Sequence, residues 1–429
     1  MGRIYYQKIE ITDFGPYVTK IILPLNRRIT FKSLNKNQFF VYVQICDKNG
    51  ELVKKSLHRM DPNSTLIEQK GYRSIKEVYP SDIRGNRLKE GNFITLSLNY
   101  GPLVNLSSAI SADFSTPGML EYYTVHDYMI TQTADIQTEN GILSGLVFDH
   151  CAETFNDAKS RFVQVKFNDK NELNYGYFIP QRKGSKKPLI VFLHGAGEGG
   201  QDLPIAYSGN KVTALTEKHI QDIFDGAYVL VPQCPTVWMN DGQEQMGKSG
   251  QSIYVESLMK VIKKFIANNS EGIDMDRIYI GGDSNGGFMT LRMLIDYPDF
   301  FTAGFPICEA LYDKSISDQE IDTLKDIPLW FVHAKNDPIV IPEEYVLPTY
   351  RRLKKAGAKN LHFTFWNKIV DMHGMFKDKD GNPYEYLGHF AWIPVFNDDC
   401  KNDFDGMPVI ENNKEVSLFE WLAMQTKNK

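Results

Sequence analysis

The stretch RIYIGGDSNGGFMT, residues 277–290, decides the fold of this 429-residue chain. A strand-like apolar run, Ile278-Tyr279-Ile280, passes directly into a helix-like segment, and a serine boxed in by glycines stands at the junction. Gly282-Asp283-Ser284-Asn285-Gly286 matches G-x-S-x-G where a strand ends and a helix begins. In that context the pattern predicts a nucleophile elbow, a sharp strained turn that lifts the serine hydroxyl to the helix N-terminus, where free amides favour negative charge. The plainer alternative is a serine that caps a helix after a glycine turn. The strand and helix on either side favour the nucleophile.

From about residue 160 onward, continuous apolar runs too short for helices alternate with helical patterns. The runs are PLIVFLHG, AYVLVP, RIYIGG, PLWFVH and LHFTFW. They fit strands buried on both faces of a mostly parallel sheet. The clearest helical stripe places Val255, Leu258, Met259, Ile262 and Ile266 on one face after Ser252. RFVQVKFNDKNELNYGYFIP reads as a hairpin leading into this series. Such alternation implies an open, doubly wound α/β domain.

Upstream the grammar has period two. Ile94, Leu96 and Leu98 alternate with Thr95, Ser97 and Asn99, and QFFVYVQICDKNGELV reads as a strand, a turn and a second strand. Short strands between Gly, Asn and Pro turns predict a small all-β sandwich. The polar stretch QTENGILSG, residues 137–145, sets the expected boundary, dividing the chain into domains 1–140 and 141–429.

Composition narrows the partners. Forty-eight Lys and Arg against 53 Asp and Glu give a net charge of -5, which offers no electrostatic reason to expect nucleic acid or an anionic membrane. No run reaches the length needed to span a bilayer. Five scattered cysteines form neither a disulfide framework nor a C-x-x-C site. The N-terminus lacks the pattern of a signal peptide, so the expected location is cytoplasmic, or extracellular had a signal been removed.

A serine hydroxyl is a poor nucleophile until a base takes its proton and amides receive the developing oxyanion. Upstream, VFLHGAGEGG ends a strand in His194-Gly195-Ala196-Gly197, similar to the HG-rich oxyanion loop of esterases. The donors would be the amides of Ala196, or Gly195, and Asn285. A phosphate loop is the alternative, but the Lys-Ser/Thr ending is missing. His194 itself is expected to be structural. In PLWFVHAKNDPIVIP, Asp337 follows a buried strand where an acid would orient an imidazole, and the order Ser, acid, His suits this architecture. The base must then be His362, His373 or His389. His362 lies inside an apolar strand; position alone does not separate the other two.

From about residue 158 to the C-terminus, the chain resembles α/β-hydrolase serine esterases of the feruloyl-esterase and polyhydroxybutyrate-depolymerase-like group, often labelled predicted peptidases. The resemblance rests on YFIP, PLIVFLHGAGEGG, LVPQCP, MDRIYIGGDSNGGFMTLRML, FPIC, VHAKNDPIV and GHFAW. Some members carry an N-terminal immunoglobulin-like domain, which VYPSDIRGN and GNFITLSL resemble less specifically. The family's GH-x-x-W signature implies His389 as base, with Trp392 beside it. Gly199 stands where the loop usually has Arg, and Asn285 replaces the common Met after the nucleophile. Extra acidic segments lie near 374–386 and 397–415. KDKDGN and NDFDG alternate carboxylates, but Phe376 and Lys401 occupy the first ligand position of an EF-hand pattern, so solvated loops are expected instead.

The expected protein is a serine hydrolase of carboxylic esters, with a Ser284-His389-Asp337 triad and a small-molecule or carbohydrate-linked ester substrate. Trp238 and Trp392 are candidate substrate contacts. No metal or organic cofactor is implied. The alternatives are a serine peptidase on the same fold and a noncatalytic carbohydrate- or partner-binding protein. The N-terminal domain, whose His58 and His126 are isolated, is expected to shape the entrance, grip a polymeric substrate or mediate homo-oligomer formation.

Overall fold

The computed structural model describes residues 2–30, 34–56, 65–138, 141–167, 173–181 and 184–427. His58 and the turn of the expected hairpin, residues 168–172, lie outside these. The chain groups into two compact units. One is Met1–Ser111 with Tyr122–Ser160, and the other is Ala112–Glu121 with Arg161–Lys429.

In the first unit eight strands form one ladder. Its order is Lys70–Arg73, Phe39–Cys46, Val125–Gln132, Val147–Phe155, Arg3–Thr12, Gly15–Thr30, Glu90–Leu98, Ile75–Ser81. Alternation decides what is buried. Phe39, Val41, Val43 and Ile45 point inward while Phe40 is exposed, and Ile94, Leu96 and Leu98 are fully buried, as their spacing predicts. All eight-strand directions feed a single core that includes Tyr5, Val18, Ile21, Val43, Leu96, Tyr128 and Phe148. The sequence sets the boundary at residue 140, whereas by compactness the first unit runs on to Ser160. Val147–Phe155 pairs in parallel with the first strand, from Arg3↔Phe148 to Lys8↔Phe155. That strand buries little beyond Phe148 and Phe155, so its sequence lacks the alternation that marks its neighbours.

The second unit holds an eight-stranded sheet. Its strands are β1 (Val163–Val165), β2 (Asn174–Phe178), β3 (Lys187–Leu193), β4 (Tyr228–Gln233), β5 (Ile273–Asp283), β6 (Ala303–Ile307), β7 (Leu329–Ala334) and β8 (Leu361–Trp366). Their spatial order is β1-β2-β4-β3-β5-β6-β7-β8. β1 and β2 are antiparallel and everything from β4 to β8 is parallel, the expected α/β-hydrolase arrangement. Every residue of β3, β4, β6 and β7 is buried, which explains their unbroken apolar runs. Helix α1 (Val255–Asn268) buries Leu258, Met259, Ile262 and Ile266. Helix α2 (Asn285–Asp296) follows β5, and α3 (Val346–Ala356) lies between β7 and β8. α4 (Leu418–Met424) is closed by a Ser417/Glu420 capping box. Because β3, β5 and β7 are parallel, the loops that leave their carboxyl ends emerge along one edge of the sheet, where open α/β sheets bind ligands. Those loops begin at His194, Ser284 and Lys335.

Candidate active site

Ser284 occupies the turn from β5 to α2 with φ 54° and ψ −113°, a conformation that L-residues rarely adopt. Holding it costs about 1–3 kcal/mol, so the surroundings must fix it. Ser284 N donates to Ile307 O on β6 at 2.8 Å, and Phe288 N donates to Ser284 O at 2.9 Å. The flanking glycines are a steric necessity. A Cβ on Gly282 would stand 2.5 Å from Gly286 O, and one on Gly286 would overlap Leu193 O at the end of β3. The serine side chain makes no capping bond to the helix. Its hydroxyl instead lies 2.9 Å from His389 Nε2, which disposes of the helix-cap reading.

His389 Nδ1 is 2.8 Å from Asp337 Oδ2. A carboxylate accepts there, so Nδ1 carries the proton and Nε2 presents a lone pair to the serine hydroxyl. Asp337 is anchored on every side. Its Oδ1 accepts the amides of Ile339 at 2.8 Å and Val340 at 3.0 Å, and its Oδ2 also meets His333 Nε2 at 3.1 Å. Burial would raise the carboxyl's pKa, but the hydrogen bonds and charge of His333 and His389 outweigh it and hold the group well below the usual range. His373 is exposed and pairs with Asp399 at 2.9 Å. His362 bonds Asp403 at 2.9 Å and packs against Trp330 and Trp421. Among the carboxylates of the acidic segments, Asp378 accepts the amides of Asp380 and Asn382 in its own tight turn.

The loop expected to hold an oxyanion follows β3. His194 is buried, and burial pushes its pKa down to about 4. Neutral, it donates from Nδ1 to Gly195 O at 2.6 Å and accepts Cys234 N on Nε2 at 2.9 Å, the structural part expected of it. Ala196 and Gly197 are half-buried at the loop's tip, whereas Gly195 is buried. Asn285 opens α2, where the amide has no intrahelical acceptor. Its side chain faces the other way, Oδ1 accepting Trp238 N at 2.5 Å.

Both expected substrate contacts require correction. Trp238 is 0% exposed, its Nε1 donating to His194 O at 3.2 Å, so it supports the oxyanion loop from behind and offers no face to a substrate. Trp392 is 6% exposed and meets the His389 ring edge-on at 6.1 Å; it packs the base in place. Sequence reading gave no role to His333, although a histidine four residues before the acid at the end of a buried strand is a usable signal. Glu198, Asn210 and Asp283 carry no such signal.

Comparison with known proteins agrees with this fold. Residues 9–145 match the esterase Ig-like N-terminal domain, and residues 175–373 match the phospholipase/carboxylesterase family. Feruloyl esterase B of Neurospora crassa is 30% identical over 30% of this chain and 40% of its own length. Poly(3-hydroxyalkanoate) depolymerase C of Paucimonas lemoignei is 30% identical over 32% of each. The chain thus spans well under half the length of these relatives. A thermostable esterase of known structure superimposes with a TM-score of 0.72 over 99% of both chains at 23% identity, a likeness of fold. The chain therefore joins a segment similar to the esterase Ig-like N-terminal domain to an α/β-hydrolase-fold domain similar to the phospholipase/carboxylesterase family.

Proposed function

We propose that this chain hydrolyses carboxylic esters through an acyl-enzyme formed on Ser284. As Ser284 Oγ attacks the ester carbonyl, its proton passes to His389 Nε2. Asp337 keeps the imidazole in the required tautomer and stabilises the cation that forms. The amides of Ala196 and Asn285 receive the oxyanion, and their charge stabilisation is the largest single contribution in such sites. The imidazolium then protonates the departing alkoxide. In the second half-reaction His389 takes a proton from water, the resulting nucleophile attacks the acyl carbon, and Ser284 leaves with its proton restored.

The observation that carries this reading is the unbroken chain from Ser284 Oγ to His389 Nε2, 2.9 Å, and from His389 Nδ1 to Asp337 Oδ2, 2.8 Å, at the tip of a strained turn. Similarity to a protein named feruloyl esterase makes aryl and carbohydrate-linked esters the first class to assay. Ser284→Ala deletes one hydroxyl at a turn and leaves no large cavity, so the fold should survive. Activity on a p-nitrophenyl ester should fall on the order of a thousandfold or more, and fluorophosphonate labelling should vanish. Undiminished turnover by the pure variant would refute the assignment.

A further inference from the structure

Behind the serine lies a pair of buried acids that the hydrolytic reading leaves without a role. Asp283, immediately before Ser284, is fully buried. Its Oδ2 accepts Asn210 Nδ2 at 2.9 Å, and its Oδ1 has no hydrogen-bond partner among the described residues. Glu198, four residues past His194, is 5% exposed and folds its carboxyl back beneath the oxyanion loop. The two converge under Gly195. The point where a Cβ of that residue would stand is 2.8 Å from Glu198 Oε2 and 2.9 Å from Asp283 Oδ2.

Two carboxyl groups that crowd one point out of water, both served by the Asn210 side chain, disfavour carrying charge together. Of the titratable groups that face them, Glu121 adds repulsion, the His389 imidazole faces Asp283, and the Cys308 thiol lies on the β6 side. Burial pushes Asp283 up to about 7 and Glu198 well above the usual carboxylate range. Burial thus favours a proton on the pair.

We propose that Glu198 and Asp283 share a proton as an acid–carboxylate pair, and that this bond is a positioning device holding the His194–Glu198 loop against the nucleophile turn. Resting on the ester-hydrolase reading of Ser284, the assignment would tie together the two halves of the proposed oxyanion site, Ala196 after β3 and Asn285 after β5. The loop's other side is held separately, by Glu121 N donating to Gly197 O at 2.7 Å. The fold favours the protonated form of Glu198, so positioning is intact at lower pH and is lost as pH rises through its raised pKa. Two carboxylates then repel, and the loop moves.

The test measures kcat and KM on p-nitrophenyl acetate from acid to alkaline pH for the wild type, Glu198→Gln, Glu198→Ala and Asp283→Asn. Fluorophosphonate labelling and infrared spectra at neutral pH accompany the kinetics. Glutamine keeps a donor for Asp283 that cannot ionise, so Glu198→Gln should stay within about threefold of wild-type kcat and lose the alkaline decline. Glu198→Ala should lose about tenfold to a hundredfold in kcat with KM changing less, and Asp283→Asn should also blunt the alkaline limb. A carboxylic-acid band present in the wild type should be missing from Glu198→Gln. Matching pH profiles in the wild type and Glu198→Gln, or infrared spectra without that difference, would overturn the pair. Should Glu198→Ala fail to fold, the glutamine variant and the infrared difference still decide. Absence of wild-type labelling would instead defeat the ester-hydrolase reading, and the infrared difference would then judge the shared proton by itself.

Discussion

Replacing Gly286 with alanine adds one methyl group at the point where β3, β5 and α2 come closest. The new Cβ would overlap Leu193 O, standing 2.5 Å from the Leu193 carbonyl carbon and 2.6 Å from His194 O. Carbon atoms settle about 3.5–4.0 Å apart, so the first turn of α2 and the end of β3 must separate by about 1 Å. All three atoms the methyl strikes are backbone, and no rotamer change relieves it. The same two segments carry the Asn285 and Ala196 amides, so the displacement opens the oxyanion site. A misplacement of about 1 Å costs about a hundredfold in rate, and overpacking of this kind costs about 1–3 kcal/mol in stability. Gly286→Ala should therefore lower kcat about a hundredfold on p-nitrophenyl acetate, with KM changing less, and should lower the urea midpoint. The proper comparison is kcat and KM beside urea unfolding for both proteins. A variant with wild-type kcat and an unchanged midpoint would refute the argument that the glycine is there for lack of space.

Two further outcomes follow from the same contacts. His389→Ala should lose about as much activity as Ser284→Ala because the two act as a unit, whereas His373→Ala should retain most of its kcat; the reverse result would place the base on the 369–375 loop. Glu309 is fully buried after β6, and burial raises its pKa from 4.5 to about 8. The fold thus favours its neutral form, and the stability it allows is complete below its ordinary pKa and lost as pH rises through about 8. Urea midpoints should fall between mildly acid and mildly alkaline pH, and Glu309→Gln should flatten that decline; an equally steep decline in the variant would exclude Glu309 as its source.

What the sequence determined by itself is local in character. Strands buried on both faces write continuous apolar runs, strands with one wet face alternate, and the elbow is legible because strand, serine and helix are contiguous from Arg277 to Thr290. The acid, which by position alone reads as an ordinary Asp-Pro turn, was singled out by the chain order Ser, acid, His. What the tertiary structure decided depends on partners remote in the chain. His389 meets Ser284 across 105 residues, and no periodicity distinguishes it from His373; a family signature was needed. Trp238 and Trp392 were taken for substrate contacts because an aromatic ring looks the same in sequence whether it faces a ligand or the core. The first compact unit runs past residue 140 because Val147–Phe155 is a strand through pairing with the chain's first residues, not through its own pattern. Ala112–Glu121 groups with the catalytic unit for a similar reason: the Glu121 amide satisfies a carbonyl 76 positions downstream, at Gly197. Burial of Glu198 against Asp283, the observation with the most chemistry left in it, likewise arises when two loops from adjacent parallel strands fold over one glycine. Hydrophobic periodicity records which face of an element is dry, whereas a hydrogen bond between distant loops leaves no trace in either loop's sequence until the fold brings them together.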